Sequence, residues 1–478
     1  MSRARRGDFQ WADVVFVSGM HIQSAQIHDL CKRARTAGKV TVLGGPSVSG
    51  EPEAYPDYDY LHIGELGDAT DALLARLDET VAPPPRQMRF ATQERLPLTD
   101  FPLPAYDRVR FDKYLLGTLQ FSSGCPYRCE FCDIPSLYGR QPRVKSPQQL
   151  IAELDFLLAQ KTPPPSIYFV DDNFIANRKA ARELLPHLIA WQKRNGYPVS
   201  FACEATLNIA RQIPILEMMR EARFEAVFVG IETPELDALK AMRKEHNASL
   251  PMLEAIQTLN GYGLEVTSGI ILGLDSDTAE TEAHLKDFVD RSQIPMLTIN
   301  LLQALPKTPL WDRLARDGRL VAASEVEASG RESNIRFRRP HDEVVATWRR
   351  CIAYAYDPER LYGRFIHQFH ATYANRLIGP GSSRPTGSHL KRGLTLLVNL
   401  LLRVGLLAAY RRPFWRMARE AIRLGQVESL FTVGFVSYHL IEFSRDALRG
   451  EQNASFYSAR ARETNRPAQA IITASNHR

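Results

Sequence analysis

Residues 121–132 read Phe-Ser-Ser-Gly-Cys-Pro-Tyr-Arg-Cys-Glu-Phe-Cys and set Cys125, Cys129 and Cys132 in a Cys-x3-Cys-x2-Cys run. Three thiolates can hold three irons of a 4Fe-4S cluster and leave the fourth iron with no protein ligand. An iron left open is a place where a small molecule can bind and be reduced. The competing reading is a zinc knuckle or three unrelated thiols. A closed zinc site wants four ligands, commonly in Cys-x2-Cys pairs, and no second pair lies nearby. Cys31, Cys203 and Cys351 stand far apart in sequence and read as buried thiols, not as a disulfide framework. An oxygen-sensitive cluster beside free thiols fits a reducing cytoplasm.

The cysteine loop follows a predicted strand, Leu119-Gln-Phe-Ser122, and the same pattern then repeats. Strands are predicted at 166–170, 199–203, 226–231, 266–273 and 297–302, with helical segments between them. Their ends are polar or rich in glycine: Asp171-Asp172-Asn173, Glu204, Glu232, and Gly269 with Gly273 on the fifth. Six strand–helix units over 116–315 predict a partial (β/α)6 barrel, since a full eight-unit barrel runs to about 250 residues. In barrels the strand C-termini line the active site. For each acid the alternative is a helix N-cap or first-turn carboxylate.

Before the barrel, residues 1–82 alternate strand and helix and predict a parallel α/β sheet. Three strands are found, near 13–18, 40–43 and 60–63, closed by Ser18-Gly19, Gly44-Gly45 and Gly64-Glu65. Glycines at the carboxyl ends of strands leave room for a ligand. Pro-rich residues 83–115 are expected to be an extended linker. Residues 316–386 read as a helical appendage; its Ser333 and Asn334, together with Gln303 before it, could reach the barrel mouth. Gly379–Ser388 reads as a Pro/Gly/Ser linker. Residues 451–478 read as a polar tail.

The formal net charge of +6 has a location. Residues 387–450 hold ten Lys and Arg against four Asp and Glu, so 10 − 4 = +6 resides there and the remainder is balanced. A general nucleic-acid surface is therefore not indicated. Two apolar stretches, 394–410 and 430–443, are rimmed by Lys391, Arg392, Arg411, Arg412, Arg416, Arg419 and Arg423. Such helices suit a membrane interface with anionic lipid; a helical hairpin packed on the barrel fits equally well. No signal-peptide core follows the basic N-terminus, and no apolar run is long enough for a simple span.

The cysteine run, with Phe131 just before its third cysteine, resembles the radical S-adenosylmethionine (radical SAM) superfamily. That resemblance implies that the open iron chelates the amino and carboxylate groups of SAM, and that reduction cleaves SAM to a 5′-deoxyadenosyl radical. It implies a SAM amino-group contact for Asp171, Asp172 and Asn173. Glu204 and Glu232 would meet the carboxylate or ribose, and Gly269 and Gly273 would let the backbone approach the adenosine. The first unit resembles the C-terminal half of a flavodoxin-like cobalamin-binding domain, with Ser18, Gly19, Gly44 and Gly45 at its ligand edge. The first two of that domain's five strands are absent, so the natural start is expected upstream and cobalamin binding hangs on it. The Asp-x-His-x-x-Gly motif is also absent, and His21 reads as a loop residue.

The order of the units is similar to cobalamin-dependent radical SAM enzymes, and most similar to the bacterial hopanoid C-2 methylases. The resemblance rests on 121–143, 169–177, 201–208, 230–234, 268–277 and 300–309. A saturated C–H or unpolarised alkene has no acidic proton for a general base, so the cofactors must carry the hard step. As the resemblance has it, one SAM methylates reduced cobalamin, a second yields the radical that abstracts hydrogen, and the carbon radical takes the methyl group. Expected partners are a lipid or other hydrophobic substrate and a donor such as flavodoxin or ferredoxin. The expected location is the cytoplasm, peripheral on the inner face of its membrane. Rival readings are tetrapyrrole methylation or cyclisation, a radical SAM enzyme without cobalamin, and a non-catalytic iron–sulfur carrier. A carrier needs no SAM pocket, and the acid-ended strands speak against it.

Overall fold

A computed structural model describes residue 4 and residues 6–114, 116–248, 251–322, 332–377 and 397–449. The Gly379–Ser388 linker and the tail after Gly450 lie outside the described residues. The chain forms two parallel α/β units followed by helices.

In the first unit β1 (Val14–Ser18), β2 (Val40–Gly44), β3 (Tyr60–Ile63) and β4 (Met88–Ala91) lie in the order β1-β2-β3-β4, all parallel. The fourth strand corrects the expectation that 83–115 is linker throughout. Met88–Ala91 aligns with Tyr60–Ile63, and half-buried Met88 and Phe90 pack on the core of Val40, Val42, Tyr60, Leu73 and Leu77. Proline-rich flanks conceal a four-residue strand because so short a run carries little periodicity. The opposite face buries Val17, Ile27, Leu43, Val48, Tyr55 and Leu61.

The second unit is an open six-stranded parallel sheet in the order β12-β11-β10-β9-β8-β5. Its members are β5 (Gly117–Leu119), β8 (Ser166–Phe169), β9 (Ser200–Ala205), β10 (Phe224–Glu232), β11 (Glu265–Leu272) and β12 (Met296–Leu301). This is the expected partial barrel, with one difference. The first predicted strand divides, and Ser122–Ser123 (β6) leaves the barrel to pair antiparallel with Arg143–Val144 (β7). That small ribbon brackets the cysteine loop.

Burial alternates along the strands, as a sheet covered differently on its two faces requires. Ile167, Phe169, Phe201, Cys203, Val227 and Val229 are fully buried. The rings of Phe169, Phe174 and Phe201 gather around Phe224 with centroids 5.2–5.6 Å apart. The helix Pro147–Leu158 contributes Leu150, Leu154 and Leu157 to this core. Its start is fixed by a capping box in which Gln149 N donates to Ser146 Oγ (3.3 Å) and Ser146 N to Gln149 Oε1 (2.9 Å).

In the 387–450 region the described helices pack on the helices before them. Helix Arg411–Arg423 lies on Pro358–Ala371, and Val427–Leu448 lies on His341–Ala355. Phe414, Met417, Ala421, Val433 and Ile441 join the main core. Among the described residues no helix is long and apolar enough to cross a membrane. Ser333 and Asn334 sit at the end of β12: Ser333 Oγ donates to Leu302 O (2.6 Å) and Ala304 N to Asn334 Oδ1 (2.9 Å).

Candidate active site at the strand ends

The cysteine loop is held by backbone contacts from three directions. Cys125 N donates to Gly139 O (3.2 Å), Glu130 N to Met242 O (3.0 Å), and Leu310 N to Glu130 O (3.0 Å). Arg313 Nε donates to Glu130 Oε1 (2.6 Å), and Arg313 and Arg319 both grip Asp275 at the end of β11. These two arginines hold the Asp275 carboxyl down at about 2 despite its partial burial. The loop carrying Cys129 and Phe131 is thus tied to the end of helix Leu236–Ala241, to helix Pro309–Arg316 and, through Arg313, to the end of β11.

Cys125, Cys129 and Cys132 are free and half-buried. Burial pushes the Cys125 thiol up to about 11 and raises Cys129 and Cys132 as well. Backbone hydrogen bonds at Tyr127 and Ile134 oppose the rise at Cys125 and Cys132. Without metal the loop therefore holds neutral thiols, and binding a metal must displace protons. Among the described residues no three His, Cys, Asp or Glu side chains stand as a cage for one metal ion. A cluster places a different requirement, one iron for each thiolate, and three soft donors with amide hydrogen bonds to sulfur fit that chemistry.

Of the acids, Asp171 and Asn173 face the chain itself. Asp171 Oδ1 accepts from Phe121 N (2.8 Å) and Ser122 N, and the side chain is fully buried. Burial raises its carboxyl to about 7. Asn173 Oδ1 accepts from Ile175 N (3.3 Å) and Thr206 N (3.4 Å). Both are occupied in joining β8 to its neighbours. Asp172 keeps partial exposure: Gly124 N reaches its Oδ2 (2.8 Å), and burial lifts its carboxyl to about 6.

Strand alternation places Tyr168, Glu204, Phe228, Thr298 and Asn300 on the face opposite the fully buried positions. Tyr168 OH donates to Glu204 Oε1 (3.2 Å), and burial raises Glu204 to about 7. A Cβ at Gly269 would lie 3.4 Å from Phe228 Cζ, 3.5 Å from Thr298 Oγ1 and 3.8 Å from Glu232 Oε2. Gly269 therefore keeps this face narrow-walled and open beside Glu232. Gly273 has a different cause from the one expected. Its φ is +87°, and a Cβ would come within 2.6 Å of the Phe337 ring, so the glycine admits Phe337 and the turn.

Glu232 sits at φ +67° at the end of β10 and forms a buried ion pair with Lys244. Lys244 Nζ also stands 5.6 Å from the Phe131 ring centroid and feels the charge of Cys129 and Cys132. Burial opposes the Lys244 charge, yet Glu232 and the thiols raise its pKa overall. The sequence reading missed this lysine. Its only signal was position, in a turn 12 residues beyond a strand-end acid. Tyr127, inside the cysteine loop, stacks on His246 at 3.8 Å and accepts from Asn208 Nδ2 (2.7 Å).

The first unit presents its strand ends to this loop. Gly45, at φ +93°, allows a close approach in which a Cβ would strike Ser18 Oγ at 2.5 Å, and Ser47 N donates to Gly19 O (3.1 Å). Ser18, Gly19, Gly44 and Gly45 are thereby brought to one edge. Glu65, just beyond β3, accepts from Arg143 Nη2 (2.6 Å) and Ser123 Oγ (3.0 Å) and pairs with Arg95 (3.2 Å). Lys307 Nζ donates to Ser49 O (2.6 Å). His21, on the same edge, lies 3.3 Å from Ser47 Oγ, and burial lowers its pKa while Asp133 opposes the fall.

Comparison with known proteins agrees with this arrangement. Residues 119–289 match the Radical SAM superfamily, and 308–453 match a domain of unknown function, DUF4070. The chain is 54% identical over 466 residues to the hopanoid C-2 methylase of Rhodopseudomonas palustris (strain TIE-1), covering 98% of this chain and 87% of that one. It is 34% identical over 356 residues to an uncharacterised methyltransferase of Synechocystis, covering 73% and 65%. Among solved structures, the cobalamin-dependent SAM radical enzyme OxsB with aqua-cobalamin bound aligns over 94% of this chain and 77% of its own, at 16% identity and a TM-score of 0.56. That last likeness is one of fold. The chain belongs to the hopanoid C-2 methylase family, within the radical SAM superfamily.

Proposed function

We propose that this protein methylates C-2 of a hopanoid lipid, using a 4Fe-4S cluster, SAM and cobalamin. The reading is carried by one arrangement: the strand-end edge of the first sheet faces a loop of three half-buried cysteines at the strand ends of the barrel. When bound, the cluster and SAM supply a carbon-centred radical, and cobalamin supplies the methyl group.

Cys125, Cys129 and Cys132 would hold the cluster, and a set of only three thiolates would keep a place on it for SAM. Asp172 is the member of the Asp-Asp-Asn turn whose exposure suits the SAM amino group, while Asp171 and Asn173 shape the turn. Glu204 and Glu232 line the same face, and Gly269 keeps the wall beside Glu232 free of a side chain for the nucleoside. Lys244 offsets the negative charge that three thiolates bring. Ser18, Gly19, Gly44 and Gly45 form an edge of small residues that a broad, flat cofactor can lie against. Tyr168 and Phe228 give the barrel face the apolar surface a polycyclic lipid needs.

The protein works at the inner face of the cytoplasmic membrane, where such a lipid resides, with a flavodoxin or ferredoxin as reductant. Anaerobic reconstitution with iron and sulfide tests the SAM site. The reduced cluster's EPR spectrum is expected to change on adding SAM, and an unchanged spectrum would reject the assignment.

A further inference from the structure

The C-terminal helices bury one face of Arg411–Arg423 and leave the other with no described covering. Pro413, Phe414, Met417, Ala418 and Ala421 are buried, whereas Arg411, Arg412, Trp415, Arg416 and Arg419 are exposed. Immediately before this helix, Leu401–Leu407 forms a π-helical turn. Val404 and Gly405 face inward there, and Leu402, Leu406 and Leu407 face out, Leu407 with 79% of its surface exposed. Val398, Leu402 and Leu406 recur every four residues and make one exposed apolar ridge.

Ridge and arginines meet in a groove of about 660 Å³ lined by Gly405, Leu406, Arg411, Arg412, Trp415 and Arg419, among others. The elbow is built, not frayed. Trp415 Nε1 donates to Gly405 O (2.8 Å), and a Cβ at Gly405 would come within 3.0 Å of the indole. Arg416 is neutralised by Glu359 (2.6 Å). Arg411, Arg412 and Arg419 have no carboxylate partner among the described residues. The groove therefore carries unbalanced positive charge next to exposed leucines and an indole.

We infer that this elbow docks the enzyme on a bilayer surface rich in anionic phospholipid, with Arg411, Arg412 and Arg419 on headgroup phosphates and Leu402, Leu406 and Leu407 in the acyl boundary. Arginine pairs with phosphate through a planar fork, and a Leu/Trp ridge inserts shallowly at an interface. Charge without apolar exposure would equally suit a soluble anion; the two together select a lipid surface. This gives a role to part of the matched domain of unknown function. It also narrows the surface to one elbow, because helix Val427–Leu448 is engaged with His341–Ala355. The inference rests on the lipid-substrate reading above.

Flotation of the full chain with phosphatidylcholine vesicles, with and without phosphatidylglycerol, decides it. The protein is expected to float only with the anionic vesicles and to be released by high salt. Each arginine lost weakens partitioning about fivefold, from roughly 1 kcal/mol per cation. The pair Arg411→Glu with Arg412→Glu should therefore abolish flotation at unchanged melting temperature. The pair Leu406→Ser with Leu407→Ser, also exposed, should reduce it. Equal flotation of the arginine pair, or no flotation of the natural chain, overturns the proposal, as does arginine-dependent binding of inorganic phosphate alone. Methylation of detergent-dispersed hopanoid by the arginine variant is expected to persist. If the natural chain floats yet methylates no dispersed hopanoid, the lipid-substrate reading fails and the docking surface stands.

Discussion

Lys244 and Glu232 show how a single buried pair can serve both fold and chemistry. Removing one partner of a buried ion pair strands the other charge, at a cost of about 3–5 kcal/mol. Lys244→Met is therefore expected to lower the unfolding free energy of the metal-free chain by about that amount, read by urea denaturation. The double variant Lys244→Met with Glu232→Gln should recover much of it. In the reconstituted protein the same lysine change should shift the cluster's reduction potential downward, since a nearby cation favours the electron-rich state. Asp171 gives a pH test. Its carboxyl is raised to about 7 by burial, so the folded chain binds a proton more tightly than the unfolded one. Its contribution is full below about pH 4 and is lost as pH rises through about 7. Asp171→Asn should flatten the fall in melting temperature over that window. At this scale the cysteines were legible because spacing alone defines them. Lys244 was not, because its partners come from elements that only the fold brings together.

At the level of elements, the ribbon β6–β7 is the joint between the two units. Ser123 and Arg143 both reach Glu65 from it, and Gly124, one residue before Cys125, donates to Asp172. A shift of the first sheet is thus transmitted to the loop that holds Cys125. Hydrogen bonds to a charged group are worth about 1.5–3 kcal/mol. Glu65→Ala should raise amide hydrogen exchange in β4 and in residues 137–144 while the barrel core stays protected. It should also weaken cobalamin binding more than SAM binding; equal exchange in the two proteins would refute the joint. Nine of the strands were readable as apolar runs with polar or glycine ends. Met88–Ala91 escaped because four residues between prolines look like linker until a neighbouring strand defines them. Gly273 was readable as a required glycine, but its reason, the Phe337 ring, lies 64 residues away in sequence.

For the molecule as a whole, three parts converge on one purpose. A parallel sheet turns its ligand edge toward an open six-stranded barrel, and a helical cap completes the side beside β12. Fold class followed from the strand–helix alternation. The C-terminal helices did not resolve from sequence, because an amphipathic pattern is the same whether the apolar face meets protein or lipid. The structure divides that pattern: most apolar residues enter the core, and Leu402, Leu406 and Leu407 of the elbow do not. The central claim is radical methylation of a hopanoid at C-2, started at Cys125, Cys129 and Cys132. Its most direct measurement is lipid profiling of a hopanoid-producing bacterium lacking its own C-2 methylase and carrying this gene. The natural sequence should restore hopanoids methylated at C-2, and Cys129→Ala should restore none. Profiles without C-2 methylation despite a cluster-loaded protein, or methylation that survives Cys129→Ala, would contradict it.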